Sequence, residues 1–151
     1  MRKTAVLLLS LLTAAACASS GASKLKIPEP GIGIDQVVGP AELGYPYGPM
    51  EVRFNLGIQN NATIPLTLIR VSVSSTDPAG GAYSLRNDFY TFKETIPPHS
   101  TRVVTFWAKA FGWGRGMRES EPVTLHGTAY FETPTGAFQK VFIREVSQYS
   151  D

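Results

Sequence analysis

Val52-Arg-Phe-Asn-Leu-Gly-Ile-Gln59 is the stretch that decides the fold of this chain. Val52, Phe54, Leu56 and Ile58 alternate with Arg53, Asn55, Gly57 and Gln59, the period-two signature of a strand with one buried and one wet face. Asn60-Asn61 closes it as a turn. Ile64 to Ser74 reads as a second strand, and its apolar parity switches between Leu68 and Ile69, which predicts a bulge or twist near Ile69. Asp77 to Gly81 is a turn. Tyr83 to Leu85 and Phe89 to Ile96 are short strands, and Pro97-Pro-His-Ser100 turns the chain again. Arg102 to Lys109 reads as a central strand. Val123, Leu125, Gly127, Ala129 and Phe131 alternate with Thr124, His126, Thr128 and Tyr130. Thr133-Pro-Thr-Gly136 is a hairpin loop leading into a last strand, Phe138 to Val146. An edge strand is expected at Ile32 to Val38. No window carries a 3.6-residue stripe. Seven or eight short strands with regular turn signals predict an all-β fold, an antiparallel sandwich of immunoglobulin or fibronectin-III type.

Ahead of the strands the chain changes character. Arg2 and Lys3 precede an apolar run, Ala5 to Leu12, far shorter than the roughly 20 residues that span a bilayer. It reads as an export signal. Thr13-Ala-Ala-Ala16 and then Cys17, the one cysteine of the chain, resemble the lipobox of bacterial lipoproteins. That resemblance implies cleavage before Cys17, lipid on its thiol and acylation of the new amino group. Residues 1–16 are then the signal peptide. Residues 17–31 are the lipidated cysteine and a small, polar, Pro-containing tether, and 32–151 the β-sandwich domain. An ordinary secretory signal with an incidental cysteine is the alternative. The tether reaches at most about 45 Å at about 3.3 Å per residue.

Charge and cysteine count narrow the field further. The formal charge is +2, but Arg2 and Lys3 leave with the signal, so 12 basic residues face 12 acidic ones. No basic block interleaved with aromatics appears, which argues against a nucleic-acid partner. A lone cysteine excludes an internal disulfide, so the fold rests on its core.

Three segments together resemble the type-2 late embryogenesis abundant proteins, the water-stress and hypersensitive response (WHy) family. VRFNLGIQNNATIPLTLIRVSVS (Val52 to Ser74) is similar to the family's opening strand, its Asn-containing turn (Asn60, Asn61) and the Pro65-Leu66 start of the next strand. IPPHSTRVVTFWA (Ile96 to Ala108) resembles its turn and valine-rich strand, and VTLHGTAYFETPTGAFQKVF (Val123 to Phe142) its last hairpin. A departure stands in the first turn, where Ala62-Thr-Ile64 separates Asn61 from Pro65. The resemblance covers about 100 residues. It implies a fibronectin-like sandwich with no catalytic residues and a link to desiccation or stress tolerance.

Candidate sites are few. His99 follows Pro-Pro in a turn and reads as solvated; His126 lies on the outward parity of its strand. Nothing marks a nucleophile beside either. Two isolated histidines do not make a zinc site, and no cofactor is expected. Glu119, Glu121 and Arg118 fall in a loop, and Glu132 and Glu145 are expected as neighbours across the final hairpin, as solvated charge. Asn61-Ala-Thr63 matches a glycosylation acceptor, but the Asn is read as serving the turn. Phe111-Gly-Trp-Gly-Arg-Gly-Met117 is the candidate binding loop, with Trp113 and Arg115 held among three glycines. Folding back of Trp113 to cap the sandwich is the bland alternative. Trp107 has the parity opposite Val104 and Phe106, consistent with partial exposure.

The expectation is a non-enzymatic domain of the cell envelope, acting by binding and anchored in membrane lipid through acylated Cys17, with the family resemblance implying a tie to stress. Ala18 and Ser19 lack the Asp of inner-membrane retention, which favours the outer membrane, facing the periplasm. The alternative is an accessory subunit docking an envelope protein or polysaccharide through the Gly-Trp-Gly loop.

Overall fold

The computed structural model describes residues 27–40, 47–76, 81–113 and 121–147, without the side chains of Tyr47 and Trp113. Eight strands follow in order: β1 Gly31–Val38, β2 Tyr47–Gln59, β3 Leu66–Ser75, β4 Tyr83–Leu85, β5 Asp88–Ile96, β6 Thr101–Trp113, β7 Val123–Thr133 and β8 Gly136–Val146. They form two four-stranded sheets of order β1-β2-β6-β4 and β5-β3-β7-β8. Every pairing is antiparallel. The chain is an all-β, immunoglobulin-like sandwich.

The alternation that predicted the strands is what builds the core. Val52, Phe54, Leu56 and Ile58 of β2 are fully buried, as are Leu66, Leu68 and Val71 of β3 and Val123, Leu125 and Ala129 of β7. All belong to one cluster between the sheets. The bulge falls where the parity switch put it. Register slips between Leu68 and Arg70 against both β5 and β7, leaving Ile69 unpaired. β1 is an edge strand, as expected. β8, the edge of the other sheet, puts Lys140 and Arg144 on its inward parity among Phe138, Phe142 and Val146. Charge turned inward on an edge discourages pairing with another chain. Gly127 faces Phe142 across β7 and β8, and a Cβ there would overlap the Phe142 ring.

The structure corrects two expectations. Phe111-Gly-Trp113 is strand rather than loop. β6 runs on because Tyr47–Pro49 pair with it on one side and Tyr83–Leu85 on the other. Pro49 is tolerated there because β1 ends opposite Arg53, so among the described residues this part of β2 has a neighbour on one side only. Glu132 and Glu145 are not neighbours. Hairpin register sets Glu132 against Ala137 and Glu145 against Thr124, toward opposite ends of the ladder.

One end of the sandwich is closed by Asn60, the one buried polar residue among those described. Its Nδ2 donates to the carbonyls of Ile64 (2.9 Å), Ile96 (3.1 Å) and Pro97 (3.0 Å). Its Oδ1 accepts from the Ala62 amide at 2.9 Å, and its own amide donates to the Ser100 carbonyl at 2.8 Å. The β2–β3 turn is thereby bonded to the β5–β6 turn. In that second turn His99 takes φ 52°, the left-handed position after a proline. One side of the sandwich is closed by rings: Tyr90 and Phe92 of β5 lie 4.6 and 6.0 Å from Phe106 of β6.

Two predictions follow from these closures. Asn60→Ala leaves the Ile96 carbonyl and the Ala62 amide unmet in a buried site, loses two part-buried bonds besides, and should cost about 3 kcal/mol. The check is urea unfolding, with a lower midpoint at unchanged slope. Burial pushes the Tyr90 hydroxyl above its ordinary value, Asp88 adds to the rise, and a hydrogen bond with the Lys109 backbone opposes it. A raised folded-state value means that Tyr90's contribution is complete below about pH 10 and is lost as pH rises through the folded value. The stability difference between wild type and Tyr90→Phe should therefore change above pH 10 and be flat from pH 7 to 9, as read by unfolding at each pH.

Candidate functional site

With the apolar side chains committed to the interior, function falls to the two outer faces and the two ends. Cys17 and Arg115 lie outside the described residues, as does the Trp113 side chain. The Trp113 backbone is placed: it ends β6, opposite Tyr47. The first residue of β1, Gly31, pairs with Gln59, which pairs with Thr101, the first residue of β6. The chain that follows Cys17 therefore reaches the sheet at one end, and β6 finishes at the other, about 40 Å away at about 3.3 Å per residue. The tether end is tied down. Asn61 Nδ2 donates to the Glu29 carbonyl at 2.9 Å, so this side chain holds the segment before β1 rather than its own turn, and the Glu29 carboxylate pairs with Lys140 of β8.

The outer face of the β1-β2-β6-β4 sheet carries an apolar line. Val103, Trp107 and Phe111 of β6 are 60%, 47% and 48% exposed. They occupy alternate outward positions over about 27 Å. Trp107 is thus on the wet face, as its parity indicated. Arg53, its partner on β2, lays its guanidinium 5.5 Å from the ring centroid. Among the described residues the buried Arg53 Nε has no hydrogen-bond partner. Beside Trp107, Thr105 Oγ1 donates to Asn55 Oδ1 at 2.7 Å. Gly33 and Gly57 face each other next to Val103 and form a floor without side chains. Separated by the exposed Thr105 and Lys109, these apolar groups of β6 make a candidate interaction surface.

The outer face of the second sheet centres on Arg70, directly after the bulge. Its guanidinium lies between two rings, 4.3 Å from the Tyr130 centroid and 4.9 Å from that of Phe89. Sequence reasoning passed over this residue, because its neighbours come from β5 and β7. The bulge also opens a shallow hollow of about 480 Å³ lined by Ile69, Arg70, Tyr130, Glu132, Phe138 and Gln139, among others. Val141 and Ile143 are exposed farther along β8.

The remaining sequence candidates stay apart. His99 is exposed in the turn at the tether end, and His126 is exposed on β7 between Ser74 and Ile143, toward the other end. Glu121 is used structurally, its carboxylate accepting from the Gly81 amide at 3.3 Å. Glu119 and Arg118 lie outside the described residues. Among the described residues no three His, Cys, Asp or Glu side chains gather as a metal site. No helix among them is long and apolar enough to cross a membrane.

No protein-family model matches the chain, and no curated protein matches its sequence. Solved structures do. A protein from Archaeoglobus fulgidus aligns with TM-score 0.50 at 11% identity, covering 80% of this chain and 96% of its own. A Northeast Structural Genomics Consortium target, SoR45, aligns with TM-score 0.53 at 13% identity, covering 78% and 84%. At these identities the likeness shows a shared fold alone.

Proposed function

We propose that this chain is a non-enzymatic, lipid-anchored domain of the cell envelope, acting by binding. The observation that carries the proposal is the passage from Arg2-Lys3 through a short apolar run to Thr13-Ala-Ala-Ala-Cys17. Three fatty chains on Cys17 would hold the protein firmly, where one holds it only marginally. The fold supports the reading, since the described chain enters β1 at one end of the sandwich rather than across an outer face. Ala18 and Ser19 favour the outer membrane. The resemblance to the WHy family adds a role in desiccation or stress, for which the sandwich is the compatible fold.

A second reading is favoured by the line Val103, Trp107, Phe111: an accessory subunit docking an envelope protein. The line continues along β6 toward the Trp113 backbone, at the end away from the tether. With Cys17 in lipid, that end is presented away from the membrane.

The first reading is tested by fractionating cells that make the full chain. Wild type should sediment with membranes and give an N-terminal peptide that begins at Cys17 and carries acyl chains by mass spectrometry. Cys17→Ala should lose the lipid and leave the membrane fraction. A wild-type product that is soluble with a free thiol would end this reading. The second is tested by a photo-crosslinking residue placed at Trp107 or, as the control on the opposite face, at His126. A defined adduct from position 107 with none from 126 is expected; equal adducts from both would contradict docking through β6.

A further inference from the structure

The hollow beside the bulge at Ile69 has a chemistry of its own. The Arg70 guanidinium carbon lies 4.9 Å from the Phe89 ring centroid and 4.3 Å from that of Tyr130. Among the described residues it makes no ion pair and no hydrogen bond. The planar fork of N–H donors on a guanidinium with no other polar partner matches a planar carboxylate bidentately. The Tyr130 hydroxyl, the Glu132 carboxylate and the Gln139 amide line the same hollow, and none is spent on another described residue. Together they offer both donors and acceptors, the two kinds of partner that sugar hydroxyl groups take. Ile69 and Phe138 supply apolar wall, Phe138 being fixed by stacking 5.3 Å from Phe131. Glu132 makes the hollow unfavourable to a dianion such as a phosphate monoester, because a single cation faces it. The hollow is shallow, and its 480 Å³ falls within the range of ligand sites.

We propose that this hollow binds an acidic saccharide, with Arg70 holding the carboxylate of a uronic-acid unit and Tyr130, Glu132 and Gln139 meeting its hydroxyls. The site lies on the sheet opposite the Trp107 line and is independent of whether Cys17 is acylated. The Ile69 bulge creates it by shifting Arg70 into register with Tyr130 while Glu132 stays opposite Thr67.

The test is titration of the ¹⁵N-labelled full chain with trimers of galacturonic, glucuronic and mannuronic acid. Their methyl esters, phosphatidylglycerol vesicles and a short peptide with a free C-terminal carboxylate serve as competing arms. At least one acid trimer should shift the Arg70 Nε–H and the Tyr130 and Gln139 signals, and its ester should bind about tenfold more weakly or worse, as expected for a lost charge-assisted bond. Arg70→Gln should weaken binding by a similar factor. Arg70→Lys, which keeps charge on the strand but loses the planar fork, should also weaken it while the spectrum of the fold is retained. Binding by no acid trimer, equal binding of acid and ester, binding unaltered in both Arg70 variants, or stronger binding of the vesicles or the peptide would each overturn the proposal. The last two would leave Arg70 as a clamp between strands or as a site for a different anion.

Discussion

Asn60, itself fully buried, presents one side-chain amide to three main-chain carbonyls, and the arrangement of both sheets depends on that grip. Two N–H bonds are shared among acceptors from Ile64 in the β2–β3 connection, Ile96 at the end of β5 and Pro97 in the β5–β6 connection. Each connection passes from one sheet to the other. Bonding them together at their crossing fixes the separation and registration of the layers at that end. A buried polar group is costly unless its hydrogen bonds are met, and here they are met by groups that no other side chain could serve so compactly. The chain has one cysteine and no internal disulfide, so this is where a covalent staple would otherwise be useful.

Fixing the layers in this way separates two classes of residue. Inward positions are held to apolar, close-packed choices such as Phe54, Leu68 and Phe131. Outward positions are free of that demand, which makes their departures from ordinary polar surface informative. Trp107 with Arg53 on one face, and Arg70 between Phe89 and Tyr130 on the other, are such departures. The tether, bound by Asn61 and Lys140 through Glu29, adds a direction. One end belongs to the lipid side in the proposed anchoring, and the far end of β6 belongs to the space beyond it.

Much of this was legible in the sequence because strands write their two faces in period two. The parity of Val52 to Ile58 and of Val123 to Phe131 placed the core, and the parity switch after Leu68 placed the bulge. Asn60 was readable as a turn residue, but its burial was not, since two of its acceptors lie 36 and 37 residues away. Glycines made Phe111 to Trp113 look like loop, yet pairing on both sides of β6 outweighed their weak strand preference. The Arg70 cluster draws on three strands, and no local pattern announces a contact that the sheet order creates. The separation of Glu132 from Glu145 likewise depends on hairpin register, which the Thr133 to Gly136 turn sets.

Native-state amide hydrogen exchange on the full chain tests the central role of Asn60 most directly. The Asn60 amide, bonded to the Ser100 carbonyl, and the Ala62 amide, bonded to the Asn60 side chain, both belong to a connecting turn. The account predicts that they exchange as slowly as the slowest amides of β2 and β3, opening only when the whole sandwich unfolds. Exchange at the rate of the exposed neighbour Asn61 would show that the turn opens by itself and that the layers are held by something else.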